Sequence, residues 1–344
     1  MNGDDQKLHI GIEGAPMDVG GLIGAVPTTR QLPDRDAPDI AERLGNPETP
    51  KDGEGVLVGV VDTGAGANSW LDGGYLAAPG DFEQIPEGKR LFQAGHGTFV
   101  TGLILKQAPA AGVWMERALD PMGRGPNDVI DTAAEKLVRR GVHILNLSLG
   151  AFEQYEEDLG KLVAKLYDIN PDLVIVAAAG NLRSKDDQDA GADQSAKPTE
   201  PTKFFPAALP DVLAVGSTRA PIGLAPSNKW TSWSNRGDWI DFAACGERVL
   251  STYISDVPLD NGVFSEDVPG RRFAEWSGTS FSAAVVSGAI AAKMTESGGR
   301  SAKQAVEELK KTVFVTAVDG GPGGQVPIVK SRRWDWPPLP ESAA

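Results

Sequence analysis

From Val56 onward, short β-branched apolar runs alternate with segments of helical periodicity. The runs Val56–Val61, Val113–Ala118, Val142–Leu147, Leu173–Ala178 and Val212–Val215 are apolar along their length, as strands buried on both faces are. Between them, Val129, Ile130, Ala133, Ala134, Leu137 and Val138 recur at helical spacing, and Tyr155, Leu159, Leu162, Val163 and Leu166 repeat the pattern. Each set gives one apolar stripe able to pack on a sheet. A third helix begins at or beside Ser280 and runs through Ala283, Val286 and Ile290 toward Met294. A fourth carries a capping signal, Ser301 with Gln304 three residues on, ahead of Ala305, Val306 and Leu309. This alternation predicts an α/β fold of three layers, a mostly parallel central sheet covered by helices on both faces.

The two ends lack this periodicity. Residues 1–54 are rich in Pro, Gly and Asp, with one short helical pattern around Pro38–Leu44, and read as an N-terminal arm. From Gly320 the chain returns to Gly and Pro and ends in Trp334, Trp336 and a Pro-rich stretch, so residues 320–344 read as an extended C-terminal tail. Residues 55–319 are left as one catalytic-sized domain.

The formal net charge of -14 argues against a nucleic-acid or anionic-membrane surface, either of which needs clustered Lys and Arg. Cys245 is the only cysteine, which excludes an intramolecular disulfide and a Cys-rich zinc site and leaves stability to packing. It follows the apolar run Trp239–Ala244 and reads as an inert, partly buried thiol. Met1–Ile10 shows no basic leader followed by an apolar stretch, and no run of about 18 apolar residues occurs, so a cytoplasmic location is expected.

Candidate chemistry lies in three glycine-lined turns that each follow or open an apolar element: Val60-Val61-Asp62-Thr63-Gly64, Gly95-His96-Gly97-Thr98 and Gly278-Thr279-Ser280. The small neighbours are read as room for a substrate backbone. Taken alone, Asp62 is an ordinary turn residue and Gly-Thr-Ser an ordinary helix cap. Together they meet a chemical requirement: a serine hydroxyl is a poor nucleophile, and Ser280 needs a base, for which His96 is the one histidine placed in such a motif. Asp62 would hold the imidazole tautomer. Ala177-Ala178-Ala179-Gly180-Asn181 ends a buried run with an amide side chain, and Asn181, with the Ser280 amide, can donate to a developing oxyanion. His143 and His9 read as structural or incidental.

These residues, in the order Asp, His, Ser, resemble the subtilases, the subtilisin-like serine peptidases of family S8, over about Val56–Lys293. The resemblance implies a subtilisin-like fold and a serine endopeptidase with Asp62, His96 and Ser280 as its triad and Asn181 as oxyanion donor. It also implies that Ser148, Leu149 and Gly150, with Gly180, receive an extended peptide or protein substrate by strand pairing. Phe205-Pro206-Ala207-Ala208 and the following Pro210–Gly216 resemble the family near its primary specificity pocket. No cofactor is expected. No metal site is expected either, because Lys106–Gly112 offers few oxygen ligands where relatives wrap calcium, and the acidic stretch Arg183–Thr202 lacks calcium-loop spacing.

Two departures from the family pattern stand out. Phe99 replaces a second histidine, away from the chemistry. Ala284 replaces a proline after the nucleophile, which would loosen the first helical turn and admits a peptide ligase or macrocyclase using the same acyl-enzyme as an alternative. An inactive protease-like binding protein is a further alternative. The short arm implies that no long cleaved prodomain is needed.

Overall fold

A computed structural model describes residues 9–11, 28–29, 52–83, 93–181, 203–220, 227–254, 272–296, 300–312, 315–317 and 325–331. In chain order its strands and helices begin with β1 (His9–Gly11), β2 (Thr28–Thr29), β3 (Leu57–Asp62), β4 (Tyr75–Ala77) and α1 (His96–Gln107). They continue through β5 (Gly112–Arg117), β6 (Arg124–Pro126), α2 (Asn127–Arg139), β7 (Ile144–Leu147), α3 (Glu156–Ile169), β8 (Val174–Ala178) and β9 (Leu213–Thr218). The last are β10 (Phe242–Cys245), β11 (Val249–Tyr253), β12 (Arg272–Trp276), α4 (Thr279–Thr295), α5 (Ala302–Thr312), β13 (Val315–Ala317) and β14 (Gln325–Val329).

The central sheet has nine strands in the order β13-β14-β10-β9-β8-β7-β3-β5-β4, and every neighbouring pair except β13–β14 is parallel. Side chains alternate across it as strand geometry requires. Val174, Val176 and Ala178 of β8 enter the core shared with α1, α4 and α5, whereas Ile175 and Ala177 enter the opposite core with α2 and α3. Both faces are thus covered, which is why the strands carry continuous apolar runs and not an alternating pattern. The three-layer α/β architecture predicted from the sequence is the one observed.

The local signals hold in detail. Ser301 and Gln304 form the expected capping box, the Ser301 amide donating to Gln304 Oε1 at 3.1 Å and the Gln304 amide to Ser301 Oγ at 3.3 Å. His143 is structural: its Nδ1 accepts the Leu57 amide at 3.1 Å and so ties the start of β3 to the segment entering β7.

Both ends depart from their reading as appendages. β1 pairs antiparallel with β6, and β2 pairs antiparallel with β12, so the arm is stitched to the domain at two points. Within the stretch assigned to a tail, β14 lies parallel to β10 inside the central sheet, with Val326, Ile328 and Val329 buried. The C-terminal boundary drawn at residue 319 therefore moves past Val329. A five-residue strand that follows a Gly-rich segment carries too little periodicity to announce itself, and only the free edge of β10 gives it a place. The Pro38–Leu44 helix and the Trp334 and Trp336 segment lie outside the described residues.

Helix α4 is the axis of the molecule. It is apolar nearly all round because the sheet, α1 and α5 enclose it. Small residues permit this: a Cβ at Gly288 would stand 2.6 Å from the Ile104 carbonyl oxygen of α1, closer than atoms can approach. This crossing sets the spacing between the two helices that begin at His96 and Thr279.

Candidate active site

The site sits at the carboxyl ends of β3, β7 and β8, where the amino ends of α1 and α4 converge. Asp62 is the last residue of β3, and His96 is the first of α1. Both Asp62 carboxylate oxygens lie 2.9 Å from His96 Nδ1, and the Thr63 amide donates to Asp62 Oδ1 at 2.7 Å. The pair is fully enclosed, with Asp62 at 0% and His96 at 1% exposure. Charge buried so deeply is tolerable only where it is paired and hydrogen-bonded, as here.

The glycines of these turns serve a different end from the one read in the sequence. A Cβ at Gly97 would meet the Gly64 carbonyl oxygen at 2.4 Å, and one at Gly64, where φ is +111°, would meet the Asp81 carbonyl oxygen at 2.8 Å. Their missing side chains let the site's own segments close on one another and bring Asp62 to His96. At Gly278, by contrast, a Cβ would make only ordinary contacts, from 3.5 Å outward.

Ser280 is the second residue of α4 and is 4% exposed. Its hydroxyl donates to the Ser148 carbonyl at 3.1 Å, and the Ser148 hydroxyl donates back to the Ser280 carbonyl at 2.9 Å. The structure thus joins Ser280 to the Ser148 segment and His96 to Asp62, with no hydrogen bond between Ser280 and His96 among the described residues. Behind Ser148, Asn146 Nδ2 donates to the Ser148 hydroxyl at 2.9 Å, and Ser287 of α4 donates to Asn146 Oδ1 at 3.0 Å. This buried relay, which the sequence reading missed, fixes the main chain at Ser148 against α4.

Asn181 follows β8 at the turn opened by Gly180, whose φ is +92°. Its Oδ1 accepts both the Thr279 amide at 2.8 Å and the Thr279 hydroxyl at 2.9 Å, while Thr279 Oγ1 accepts the Gly180 amide at 3.1 Å. With the oxygen so held, the amide nitrogen is the end left facing Gly278, 3.8 Å from the point where a Cβ would stand there. The Ser280 amide lies in the first turn of α4, where a helix offers its N–H groups no internal acceptor.

Ser148, Leu149 and Gly150 continue β7 as an extended segment. The Leu149 side chain is buried, so this segment presents main chain to its surroundings. A Cβ at Gly150 would stand 2.4 Å from the Phe204 ring, and Ala151 exchanges two 2.8 Å backbone hydrogen bonds with Phe205.

Two aromatic rings, Trp276 and Phe281, pack against the imidazole, and Phe99 backs them both. Trp276 meets His96 edge-on at 5.6 Å between centroids, Phe281 lies at 5.4 Å, and Phe99 reaches the pair through both. Asn235 closes the far side, its Nδ2 donating to the Ala179 carbonyl at 2.9 Å. Among the described residues no group of three or more His, Cys, Asp and Glu is placed to hold a metal ion. The acidic stretch Arg183–Thr202 lies outside those residues. No described helix is long and apolar enough to cross a membrane.

A parallel three-layer sheet with a buried Asp–His pair and a serine at the amino end of a central helix defines the serine-hydrolase class. Comparison with known sequences narrows this: the sequence model of the Subtilase family matches residues 53–329, and the chain belongs to that family. Subtilisin BL of Lederbergia lenta is 28% identical over 274 residues, covering 76% of this chain and 84% of its own. Mycosin-3 of Mycobacterium tuberculosis (strain ATCC 25618 / H37Rv) is 26% identical over 336 residues, covering 85% and 70% respectively. Among solved structures, a cold-adapted subtilisin-like serine proteinase superposes with a TM-score of 0.60 at 21% identity, covering 91% of this chain and 99% of its own. A lanthipeptide protease gives 0.62 at 21% identity, covering 85% and 91%. The protein is a serine-type endopeptidase, a hydrolase.

Proposed function

We propose that Ser280 is the nucleophile of this endopeptidase, His96 its general base and acid, Asp62 the group that orients His96, and Asn181 an oxyanion donor. The observation that carries the reading is the enclosed contact of His96 Nδ1 with both Asp62 oxygens. With Nδ1 donating to Asp62, Nε2 is the nitrogen left to act as base, and it has no hydrogen-bond partner among the described residues.

In this mechanism the Ser280 hydroxyl leaves the Ser148 carbonyl, gives its proton to His96 Nε2 and attacks the substrate carbonyl carbon. The imidazolium is stabilised by Asp62. Negative charge developing on the substrate oxygen is met by Asn181 Nδ2 and the Ser280 amide, already held in place by Thr279 and the helix. His96 then returns the proton to the leaving amine, an acyl-enzyme forms on Ser280, and water activated by His96 releases the acid.

The substrate is an extended segment of a peptide or protein, paired along the main chain of Ser148, Leu149 and Gly150 and passing Gly180. Selection of a specific peptide fits this mode, since main-chain bonds give affinity and side-chain pockets give preference. The ligase alternative drew on Ala284, a residue fully buried in the core that packs around α4, and is not favoured.

Ser280→Ala should abolish both fluorophosphonate labelling and peptide cleavage. Labelling that persists in this variant would overturn the assignment.

A further inference from the structure

Glu83 is an enclosed acid that the mechanism above leaves unused. Its amide donates to the Ala65 carbonyl at 3.0 Å, closing the loop that starts immediately after Asp62. Its Oε2 accepts the Gly95 amide at 2.8 Å, and Gly95 is the residue covalently preceding His96. Its Oε1 is shielded from solvent and has no hydrogen-bond partner among the described residues.

Gly95 caps α1 in a left-handed conformation, with φ at +80°, and has no side chain to bond the helix end. None would fit, because a Cβ there would stand 2.4 Å from the Tyr253 ring. Thr63 Oγ1 supplies the missing acceptor, taking the Gly97 amide of the first turn, while Glu83 takes the amide of the cap residue Gly95 itself. On the other side it faces Thr63, whose hydroxyl oxygen accepts the Gly97 amide at 3.1 Å and whose own amide bonds Asp62. One carboxyl group, bonded to the Gly95 amide and facing Thr63, therefore sits between the segment that follows Asp62 and the one that precedes His96.

We propose that Glu83 is a positioning residue for the endopeptidase reaction, its carboxyl holding His96 against Asp62 through the Gly95 amide. The inference rests on the assignment of His96 as the base. Burial pushes the Glu83 carboxyl up to about 8, and the Asp62 charge adds to this, while the Gly95 amide, Thr63 and the Arg117 guanidinium oppose it. The charged and titratable groups around it are thus Asp62 from β3, Arg117 from β5 and His96 from α1, with Asp81 on its own loop. At neutral pH Glu83 carries its proton and adds no charge to that of Asp62. Above about 8 it ionises and places a second negative charge beside that of Asp62.

The test uses Glu83→Gln, which keeps an acceptor for Gly95 and cannot ionise, and Glu83→Leu, which has no acceptor. Rates are normalised to active sites counted with a fluorophosphonate. At pH 7 Glu83→Gln should retain kcat to within about twofold, whereas Glu83→Leu should lose roughly 10- to 100-fold in kcat with little change in KM, as for a misaligned base. The ratio of wild-type to Glu83→Gln kcat/KM should change through a step centred near pH 8, where only the wild type gains a charge. Stability supplies a separate reading. The folded state keeps the Glu83 proton over a range where the unfolded chain has lost it, so wild-type stability falls from near pH 4.5 up to about 8. The melting temperature of Glu83→Gln should therefore gain on the wild type across that interval. Superimposable pH–rate profiles for Glu83→Gln and the wild type would overturn the proposal, and so would wild-type kcat in a folded Glu83→Leu. His96→Ala keeps the two readings apart: activity surviving in it defeats the assignment of the base, whereas an inactive His96→Ala beside a folded Glu83→Leu with wild-type kcat defeats only the role of Glu83.

Discussion

Replacing Asn181 by leucine separates chemistry from binding at this site. The side-chain oxygen is committed to Thr279 through bonds of 2.8 and 2.9 Å, so the nitrogen is presented in one direction before any substrate arrives. A donor fixed in this way does little for a neutral carbonyl and most for the oxyanion. Its loss should therefore appear in kcat, by about 100- to 1,000-fold, the range known for removing the corresponding donor in subtilisin itself. The substitution also strips Thr279 of its acceptor, and leaving a buried donor unmatched costs about 1–3 kcal/mol of stability. The two effects must be measured apart. Kinetics with a chromogenic peptide, normalised to active sites titrated with a fluorophosphonate, give kcat and KM, and thermal melting gives the stability loss. Asn181→Asp sharpens the comparison, because it keeps an oxygen for Thr279 yet removes the donor and adds a negative charge beside the oxyanion. It should lose at least as much kcat as the leucine variant with less loss of melting temperature. An effect confined to KM would make Asn181 a ground-state binding residue and refute the reasoning.

Gly97→Ala places a Cβ 2.4 Å from the Gly64 carbonyl oxygen and 3.2 Å from Asp62 Cβ, so melting should reveal a loss of about 1–3 kcal/mol together with reduced kcat; an unchanged melting temperature would show that the loop yields freely. Burial pushes the Cys245 thiol up to about 11, so iodoacetamide at pH 8 should leave the folded protein unmodified and alkylate it only in denaturant, and rapid labelling of the native protein would contradict the burial. His9–Gly11 pairs with β6, which follows the Ala118–Leu119 segment whose amides bond the Asp62 carbonyl, so the arm reaches the rim of the site. Deleting residues 1–25 should raise the initial rate of peptide cleavage, and unchanged kinetics would show that β1 has no inhibitory role.

What the sequence determined by itself was whatever depends on neighbours along the chain. Apolar runs set the strands that became β3, β5, β7, β8 and β9, helical spacing set α2 and α3, and Ser301 with Gln304 set the start of α5. Asp62, His96, Ser280 and Asn181 were legible for a similar reason: each lies in a short turn whose residue types are chemically constrained. Only the tertiary structure decided the rest. Glu83, Trp276, Asn146 and Ser287 carry no local mark, and their places at the site follow from packing of distant segments, as in the Ser287–Asn146 bond across 141 positions. The short strand β14 likewise became part of the sheet because β10 left an edge to fill. Gly64 and Gly97 show the division most directly, since their lack of side chains was visible in the sequence but the backbone that occupies the space was not. Local patterns are set by steric and hydrogen-bonding rules a few residues long, whereas contact across the chain is set by which apolar faces must share one core.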